Sequence, residues 1–406
     1  MRGETTARTS APAFPLAPLA ATLAVQTLAT GAAYSIPAMA PEIARHVGIN
    51  PALVGVYISL VYGVGILSAL LSPGYIYSRG ATRVSQAVLI ATVAMLLTAA
   101  FGSAAMIVLS AALMGLAYGA TAPSSTHLLV PRTPKPHMNV VLSLRQIGVP
   151  LGGMLAGLLM PPLALAVGWR TALLLQLVPT LLLLAALEAA RHRWDAPLPG
   201  QTPASVGIRA MVRLLKGDRP LQRLSFASFV YAGLQICFIA FMTTQLTTVV
   251  GMPLIQAGQI LALYQLAGVV SRPVWGWLAD HVMPARLLLA LQGVIMCLAA
   301  VLTGRFAPDW PVAMIALVSI AGGATASGYT GIAYAEYARL GGPRRTEATG
   351  LGSAFMFAGV MVLPAAMSGV VTLAGSYAQV YSVIGALALV AGLGLVWGIR
   401  EAPRRS

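Results

Sequence analysis

Twelve long apolar runs separated by short charged segments limit what this chain can fold into. A helix needs about 20 apolar residues to cross a bilayer core about 30 Å thick. The runs, numbered here as predicted spans 1 to 12, are 15–40, 51–77, 82–101, 104–124, 139–163, 171–190, 223–250, 255–279, 285–304, 310–334, 347–371 and 376–399. Only 9% of the residues are charged, against roughly 25% in a soluble domain. The sequence therefore predicts an all-α membrane protein with twelve transmembrane helices.

Basic residues are concentrated on one side of these spans. When both termini are placed on the same side, 20 of the 25 Lys and Arg residues lie there and three lie on the opposite side. Short loops rich in Lys and Arg remain in the cytoplasm. The distribution predicts cytoplasmic termini in a bacterial inner membrane. It also explains the net charge of +15 by contact with anionic lipid headgroups, without a nucleic-acid partner.

A long basic connection divides the chain into two halves. Residues 191–222 contain Pro197-Leu198-Pro199-Gly200 and form a predicted cytoplasmic linker. The linker separates an N-terminal six-helix half, 1–190, from a C-terminal six-helix half, 223–406.

A weak internal repeat indicates that the two halves are pseudo-symmetric. Gly119-Ala120-Thr121-Ala122 recurs 204 residues later as Gly323-Ala324-Thr325-Ala326. Gly148 and Gly352 are separated by the same 204 residues. Internal repeats at equivalent places in the topology are typical of secondary transporters.

The loop after predicted span 8 resembles a signature of the major facilitator superfamily. Gly276-Trp277-Leu278-Ala279-Asp280, with Arg286 just beyond, has the Gly, the acid and the basic residue of that signature, and the resemblance covers nearly the whole chain. In the corresponding first-half loop, Ser78 stands in the acidic position between Gly74 and the basic residues Arg79 and Arg83. The resemblance implies two six-helix halves that work by alternating access.

We expect Asp280 and Arg286 to act in gating. An Asp beside the N-terminal end of the next helix is favoured by the helix dipole, and nearby basic residues can brace a state that is closed to the cytoplasm. Arg79 and Arg83 of the first-half loop, and Glu347 near the start of predicted span 11, are further gating candidates.

Two arginines lie inside predicted spans. Arg145 is about seven residues into span 5 and Arg272 about seven residues before the end of span 8, so each lies roughly 10 Å below the cytoplasmic surface at 1.5 Å per residue. A charge at that depth costs several kcal/mol unless it faces a cavity or a partner. The ten acids all lie in predicted loops or at span ends: Glu4, Glu42, Glu188, Asp195, Asp218, Asp280, Asp309, Glu336, Glu347 and Glu401.

Glu347 is therefore the one candidate for an acidic partner within the membrane. A cavity with two guanidinium groups and few acids favours an anionic substrate, because a planar guanidinium binds a carboxylate through two parallel hydrogen bonds. The alternative for Arg272 is a structural or gating salt bridge. For Arg145 the alternative is a gate paired with Glu347 or with a main-chain carbonyl of span 10.

The surroundings of Arg272 carry a second resemblance. Ser271-Arg272-Pro273-Val274-Trp275-Gly276 resembles helix 8 of monocarboxylate transporters and oxalate/formate antiporters, whose Arg-Pro pair supplies the arginine that binds the carboxylate. Gly268 stands where the monocarboxylate carriers place an Asp one turn earlier. By this resemblance Arg272 is the first substrate-binding candidate. The other candidates are Arg145, Gln146, Gln26, Tyr34, Gln235 and Tyr264.

The sequence thus predicts a monomeric secondary transporter that moves a small organic anion, a mono- or dicarboxylate, by alternating access. The coupling partner is a proton or a counter-anion. No phosphate-binding loop of the form Gly-x-x-x-x-Gly-Lys-Ser/Thr is present, and no nucleophile–base pair or set of metal ligands lies within the spans. We therefore expect neither an enzyme nor a cofactor.

An alternative reading comes from predicted span 5. The segment Gly148-Val149-Pro150 with Gly152 and Gly153 resembles a region of helix 5 in proton-coupled drug exporters. Glycines four residues apart permit close helix packing. The alternative function is export of neutral or amphipathic compounds.

Overall fold

The computed structural model describes residues 14–48, 54–195, 207–374 and 376–397, in which all regular secondary structure is helical. The first half contains α1 (Leu16–Ala38), α2 (Ala40–Val47), α3 (Val54–Arg79), α4 (Ala81–Ala100), α5 (Ala104–Leu129), α6 (Met138–Gln146), α7 (Gly148–Val167), α8 (Trp169–Leu175) and α9 (Leu177–Trp194). A short helix, α10 (Ile208–Gly217), follows. The second half contains α11 (Arg219–Thr248), α12 (Leu254–His281), α13 (Ala285–Gly304), α14 (Val312–Ala326), α15 (Thr330–Gly341), α16 (Arg345–Ala374) and α17 (Tyr377–Trp397).

The twelve predicted crossings are confirmed. Ten segments of the described ranges are long and apolar enough to cross a membrane. One of them, Val312–Met367, has 56 residues, more than twice the length of about 20 residues that a crossing needs. It holds two crossings, one formed by α14 and α15 and the other by α16. α12, with 28 residues, supplies the twelfth.

Three crossings consist of two helices each. Span 5 is interrupted between α6 and α7, span 6 between α8 and α9, and span 10 between α14 and α15. Span 10 was predicted to end at residue 334 because charged residues follow it, but α15 continues to Gly341. The helix continues because its acid, Glu336, is paired with Arg286 and Arg339 and needs no exposure to water.

The 204-residue repeat marks an equivalent contact in each half. A Cβ atom on Gly119 of α5 would overlap the main-chain oxygen of Gly65 in α3, and a Cβ atom on Gly323 of α14 would overlap that of Tyr264 in α12. Both pairs join the second and fourth crossings of their half. Glycine permits this backbone contact because it lacks a Cβ atom.

The two halves pack tightly at one end of the bundle. We call this end, at which α6 begins and α12 ends, the basic face. A Cβ atom on Gly276 of α12 would lie 2.8 Å from the Cα atom of Val140 in α6. A Cβ atom on Gly350 of α16 would lie 2.5 Å from the main-chain oxygen of Ala69 in α3. The contact between α3 and α16 at this end is called the α3–α16 seam below.

Some predicted features lie outside the described residues. They include Pro197-Leu198-Pro199-Gly200 of the linker and the basic residues of both termini, Arg2, Arg8, Arg400, Arg404 and Arg405. Within the predicted linker, 191–222, the described residues form the end of α9, the whole of α10 and the start of α11.

Candidate functional site

A central cavity of about 210 Å³ lies between the two halves. Its apolar wall includes Val149, Pro150, Ile236, Ile239, Met356, Phe357 and Val360. Its polar wall consists of Gln26, Tyr34, Tyr62, Tyr118, Thr121, Arg145, Gln146, Gln235, Gln265, Arg272, Ser327, Tyr329, Thr330 and Tyr334. Both arginines that the sequence places inside spans therefore face one cavity, Arg145 from the first half and Arg272 from the second.

Arg145 is held by two glutamines. It is 3% exposed, and its Nη2 atom donates to Oε1 of Gln26 over 2.8 Å. Its Nη1 atom donates to Oε1 of Gln146. The Nε atom has no hydrogen-bond partner among the described residues. Two amide oxygens fix the guanidinium group without neutralising its charge.

Close packing of α7 on α1 brings Gln26 to Arg145. A Cβ atom on Gly148 would lie 2.9 Å from the main-chain oxygen of Leu23 in α1. A Cβ atom on Gly152 would overlap the main-chain oxygen of Thr27 in the same helix. A Cβ atom on Gly157 would meet nothing within 4 Å. The glycines at 148 and 152 therefore form the helix contact expected from their spacing.

Arg272 is anchored at the break in span 10. It is 2% exposed, and its Nε atom donates to the main-chain oxygen of Ser327 over 3.0 Å. Ser327 follows the last residue of α14, where main-chain carbonyls lack helical partners. The Nη1 atom of Arg272 has no hydrogen-bond partner among the described residues. Gln235 completes this side of the cavity by donating from Nε2 to Oγ of Ser327 over 3.1 Å.

Among the described residues, no carboxylate compensates the charge of the cavity. None of the described residues that line it is Asp or Glu. Seven described acids have other partners. Four pair with side chains: Glu42 with Arg45, Glu188 with Arg83 and Arg191, Glu336 with Arg286 and Arg339, and Glu347 with Tyr77 and Arg344. Three accept from main-chain nitrogens at the start of a helix: Asp195 at α4, Asp218 at α11 and Asp280 at α6. The eighth, Asp309, lies between α13 and α14.

Glu347 lies at the interface of the two halves and does not pair with Arg145 or Arg272. Its Oε2 atom accepts a hydrogen bond of 2.7 Å from the hydroxyl group of Tyr77 in α3. Its Oε1 atom lies 3.8 Å from Nε of Arg344. The acidic partner considered for Arg145 is therefore engaged elsewhere. A main-chain carbonyl of span 10 was the other partner considered for Arg145. In the structure such a carbonyl, that of Ser327, accepts from Arg272.

The remaining substrate-binding candidates are divided between the cavity and the core. Gln26, Gln146, Gln235 and Tyr34 line the cavity. Tyr264 does not line it, because its ring packs against Phe238 and its hydroxyl group reaches the main-chain oxygen of Gln235 over 3.4 Å. A contact between Tyr264 and the substrate stays a prediction.

Sequence reasoning missed several residues of the cavity wall, among them Tyr118, Ser327 and Tyr334. Tyr118 directly precedes Gly119, the glycine of the internal repeat, and this was a usable signal. Tyr334 falls at the predicted end of span 10. It lines the cavity because α15 continues beyond that point.

Asp280 connects the two halves at the basic face. Its Oδ1 atom accepts from the main-chain nitrogen of Asn139 over 3.0 Å, and its Oδ2 atom accepts from that of Val140 over 2.9 Å. It therefore caps α6. We had expected it to stabilise the start of the next helix, α13. The reason is that α12 extends two residues beyond its predicted end, so that Asp280 remains on the helix that packs against α6.

Two of the basic gating candidates, Arg286 and Arg83, pair within their own halves. Arg286 donates to Glu336 of α15. Arg83 lies 3.0 Å from Glu188 of α9. Arg79 is exposed in the last turn of α3. The described contacts that cross between the halves at this end include those of Asp280 and Glu347.

Two six-helix halves around a polar cavity have the architecture of a membrane transporter. The family model of the Major Facilitator Superfamily matches residues 22–334 and 224–406. The chain belongs to this superfamily of secondary transporters.

Known proteins similar to the chain include transporters of several kinds. The probable nitrate/nitrite transporter NarK2 of Mycobacterium tuberculosis, from two strains, is 33% identical over 99 residues. The match spans 24% of this chain and 24% of that protein. The chain thus spans about a quarter of the length of these curated relatives.

Two solved structures have the same fold. One is the fucose:proton symporter FucP of E. coli, with a TM-score of 0.68 and 14% sequence identity. The alignment covers 94% of this chain and 98% of FucP. The other is the human organic anion transporter MFSD10, with a TM-score of 0.71 and 15% sequence identity. The alignment covers 94% of this chain and 99% of MFSD10.

Proposed function

We propose that this transporter carries a small organic anion, a mono- or dicarboxylate, between Arg145 and Arg272. The observation that supports the proposal is the pair of buried guanidinium groups facing one cavity, without a carboxylate among the described lining residues. Burying an uncompensated charge is costly. An anion that enters the cavity would supply the missing negative charge.

Two buried guanidinium nitrogens without a hydrogen-bond partner in the described part of the chain support an oxyanion as the ligand, which would reach them through a shift of these side chains. Nη1 of Arg272 and Nε of Arg145 have no partner among the described residues. A guanidinium group binds the two oxygens of a carboxylate through parallel hydrogen bonds. Gln235 extends the polar side of the site, and Ile236 and Phe357 offer an apolar surface to the hydrocarbon part of the ligand.

Nitrate or nitrite is the second candidate substrate. These anions present planar oxygens with the same geometry as a carboxylate, and the partial relative NarK2 is described as a probable nitrate/nitrite transporter. The exporter of neutral or amphipathic compounds has less support, because such a ligand would leave both guanidinium charges uncompensated.

We further propose that the basic face is cytoplasmic in a bacterial inner membrane, with both termini on that side, and that the transporter acts as a monomer. Substrate would enter from the opposite side while the contacts of Asp280 and Glu347 keep the basic face closed. A proton or a counter-anion would complete the cycle.

The test is uptake by the purified full-length protein in proteoliposomes. Lactate, oxalate, succinate and nitrate serve as anionic probes, and glucose and ethidium as neutral and cationic probes. We expect uptake of at least one anion, loss of this uptake in Arg272→Ala, and retention in Arg193→Ala, which removes an exposed arginine of α9. Unchanged uptake in a folded Arg272→Ala protein would remove this residue from the site.

A binding measurement separates loss of transport from loss of binding. A ligand at 100 times its Kd stabilises the folded state by about 2.7 kcal/mol, so the transported anion should raise Tm. Arg272→Ala should retain the Tm of the unliganded protein and lose the increase. An increase in Tm with ethidium alone would contradict an anionic substrate and favour the exporter.

A further inference from the structure

The linker helix α10 lies across the α3–α16 seam at the basic face. Met211 is 1% exposed, and its Cε atom would lie 3.2 Å from a Cβ atom on Gly350. The main-chain oxygen of Ala210 accepts a hydrogen bond of 2.9 Å from Nη2 of Arg344, just before α16. One face of α10 is thereby attached to the helix that closes this end of the transporter.

The opposite face of α10 is basic and exposed. Arg209, Arg213 and Lys216 follow one another at intervals of four and three residues and are all exposed. Residues at such intervals share one side of a helix. Ile208 and Val212, 43% and 41% exposed, flank this side. No Asp or Glu occurs between Ile208 and Gly217.

The position of α10 relative to the membrane is set by its neighbour. Gly217 is followed within two residues by α11, which is a membrane crossing. Gln222 of α11 donates to the main-chain oxygen of Leu215 over 2.9 Å. This bond ties the end of α10 to the first turns of α11. The helix therefore lies at the level where α11 enters the bilayer.

We propose that the exposed face of α10 binds the headgroups of anionic phospholipids. The apolar face of α10 packs on the transporter, so contact with the bilayer would depend on the basic side chains and on Ile208 and Val212 beside them. Cationic side chains near an anionic bilayer surface are attracted to it. The three basic residues match the charge of such a surface, and Ile208 and Val212 match its apolar boundary.

Lipid bound to α10 also acts on the closed seam. Arg344 donates to Ala210 of α10, and its Nε atom lies 3.8 Å from Glu347 as an ion pair without a hydrogen bond. Glu347 binds Tyr77 of the other half. Met211 fills the space beside Gly350 in the same seam. Anionic lipid that holds α10 in place therefore favours the state in which the basic face is closed. This inference does not depend on the identity of the substrate.

Hydrogen exchange of the full-length protein in nanodiscs tests the proposal. Discs of phosphatidylcholine are compared with discs that also contain phosphatidylglycerol. We expect the amides of α10 to exchange more slowly with phosphatidylglycerol, and the difference to shrink at high salt, since exposed charges are screened. Each basic side chain should contribute about 5-fold to lipid affinity, the equivalent of about 1 kcal/mol.

Matched variants identify the surface. Arg209→Gln with Arg213→Gln and Lys216→Gln should abolish the lipid-dependent slowing in α10. The control, Lys135→Gln with Arg193→Gln, removes exposed charges elsewhere on the same face and should preserve it. Equal exchange of α10 in both types of disc, or slowing that survives the triple substitution, would overturn the proposal.

Two further measurements test whether the ligand of α10 is a bilayer lipid or a soluble phosphate ester, and whether α10 is coupled to α16. Glycerol phosphate added to phosphatidylcholine discs should leave exchange unchanged, and slowing by this soluble ester would contradict a bilayer as the ligand. Met211→Ala should retain slowing in α10 and lose part of the lipid-dependent protection at the start of α16. Full protection of α16 in this variant would contradict the coupling through Met211.

Discussion

Arg272 of α12 donates through Nε to the main-chain oxygen of Ser327, 3.0 Å away, at the point where α14 ends. The bond uses the inner nitrogen of the guanidinium group. It therefore fixes the orientation of the group, while Nη1 has no partner among the described residues. A broken helix thus supplies the anchor for a charge that faces the cavity.

Replacing Arg272 with Lys should reduce transport although the positive charge is retained. A single ammonium group cannot bind the Ser327 carbonyl and two oxygens of an anion in the same geometry. A hydrogen bond to a charged group contributes about 1.5–3 kcal/mol, so we expect the Kd for the anion to rise by about 10- to 100-fold. Isothermal calorimetry and initial uptake rates provide the measurement, with Arg193→Lys as control. An unchanged Kd would show that the anion does not bind Arg272 through paired bonds.

Placing an acid beside Arg145 should weaken anion binding. In Gln26→Glu a carboxylate would replace the amide oxygen that accepts from Arg145 at 2.8 Å and would provide the counter-charge otherwise supplied by the substrate. We expect at least a 10-fold rise in Kd, about 1.4 kcal/mol, with little loss of Tm.

Gln256→Glu is the control for this change, since it introduces the same acid at an exposed position in the first turn of α12. It should leave the Kd unchanged. Equal anion affinity in the two variants would mean that the charge of the cavity does not select the substrate.

Removing Asp280 should favour opening of the basic face. Loss of a helix cap costs about 0.5–2 kcal/mol, and this cap joins α12 to α6 across the halves. Asp280→Ala should therefore increase hydrogen exchange in the first turn of α6 and along the α3–α16 seam.

Asp195 offers a matched comparison within one half. It caps α4 by accepting from the main-chain nitrogens of Thr82 at 2.8 Å and Arg83 at 3.1 Å. Asp195→Ala should increase exchange at α4 and leave the seam protected. Opening of the seam to the same extent in both variants would refute a gating role specific to Asp280.

Adding a methyl group to Gly350 should hinder closure of the seam. The new Cβ atom would lie 2.5 Å from the main-chain oxygen of Ala69, and overpacking costs about 1–3 kcal/mol. We expect Gly350→Ala to reduce the transport rate and to raise exchange at the basic face. Gly157→Ala makes the same change in a helix position with nothing within 4 Å and should transport normally. A normal rate in Gly350→Ala would show that the seam tolerates the added volume.

The number of crossings and the two buried arginines followed from the sequence. Length and apolarity determine which segments cross a membrane, and a lone guanidinium group inside such a segment must face a cavity or a partner. The breaks were not predictable to the same degree. Prolines follow Ile147 and Gln176 by three residues, at Pro150 and Pro179, and weaken the helix there because a proline has no N–H group. Whether such a proline breaks a membrane helix or only bends it depends on the neighbouring helices.

The direction of individual side chains was also beyond the sequence. The crossings are apolar on all sides, so periodicity does not separate a cavity-facing tyrosine from a core tyrosine. Tyr118 and Tyr264 illustrate the difference: one lines the cavity and the other packs against Phe238. Likewise, the pairing of Glu336 with Arg286 joins residues 50 positions apart.

The uncompensated guanidinium groups have an energetic consequence for the empty transporter. Reorientation without cargo would have to rearrange two bare positive charges in a medium of low polarity, whereas the loaded form would rearrange a cluster closer to neutrality. Futile cycling would therefore be slow, and homoexchange of labelled for unlabelled anion would outpace net efflux. The electrostatic imbalance that we propose to attract an anion would also limit leakage down the gradient.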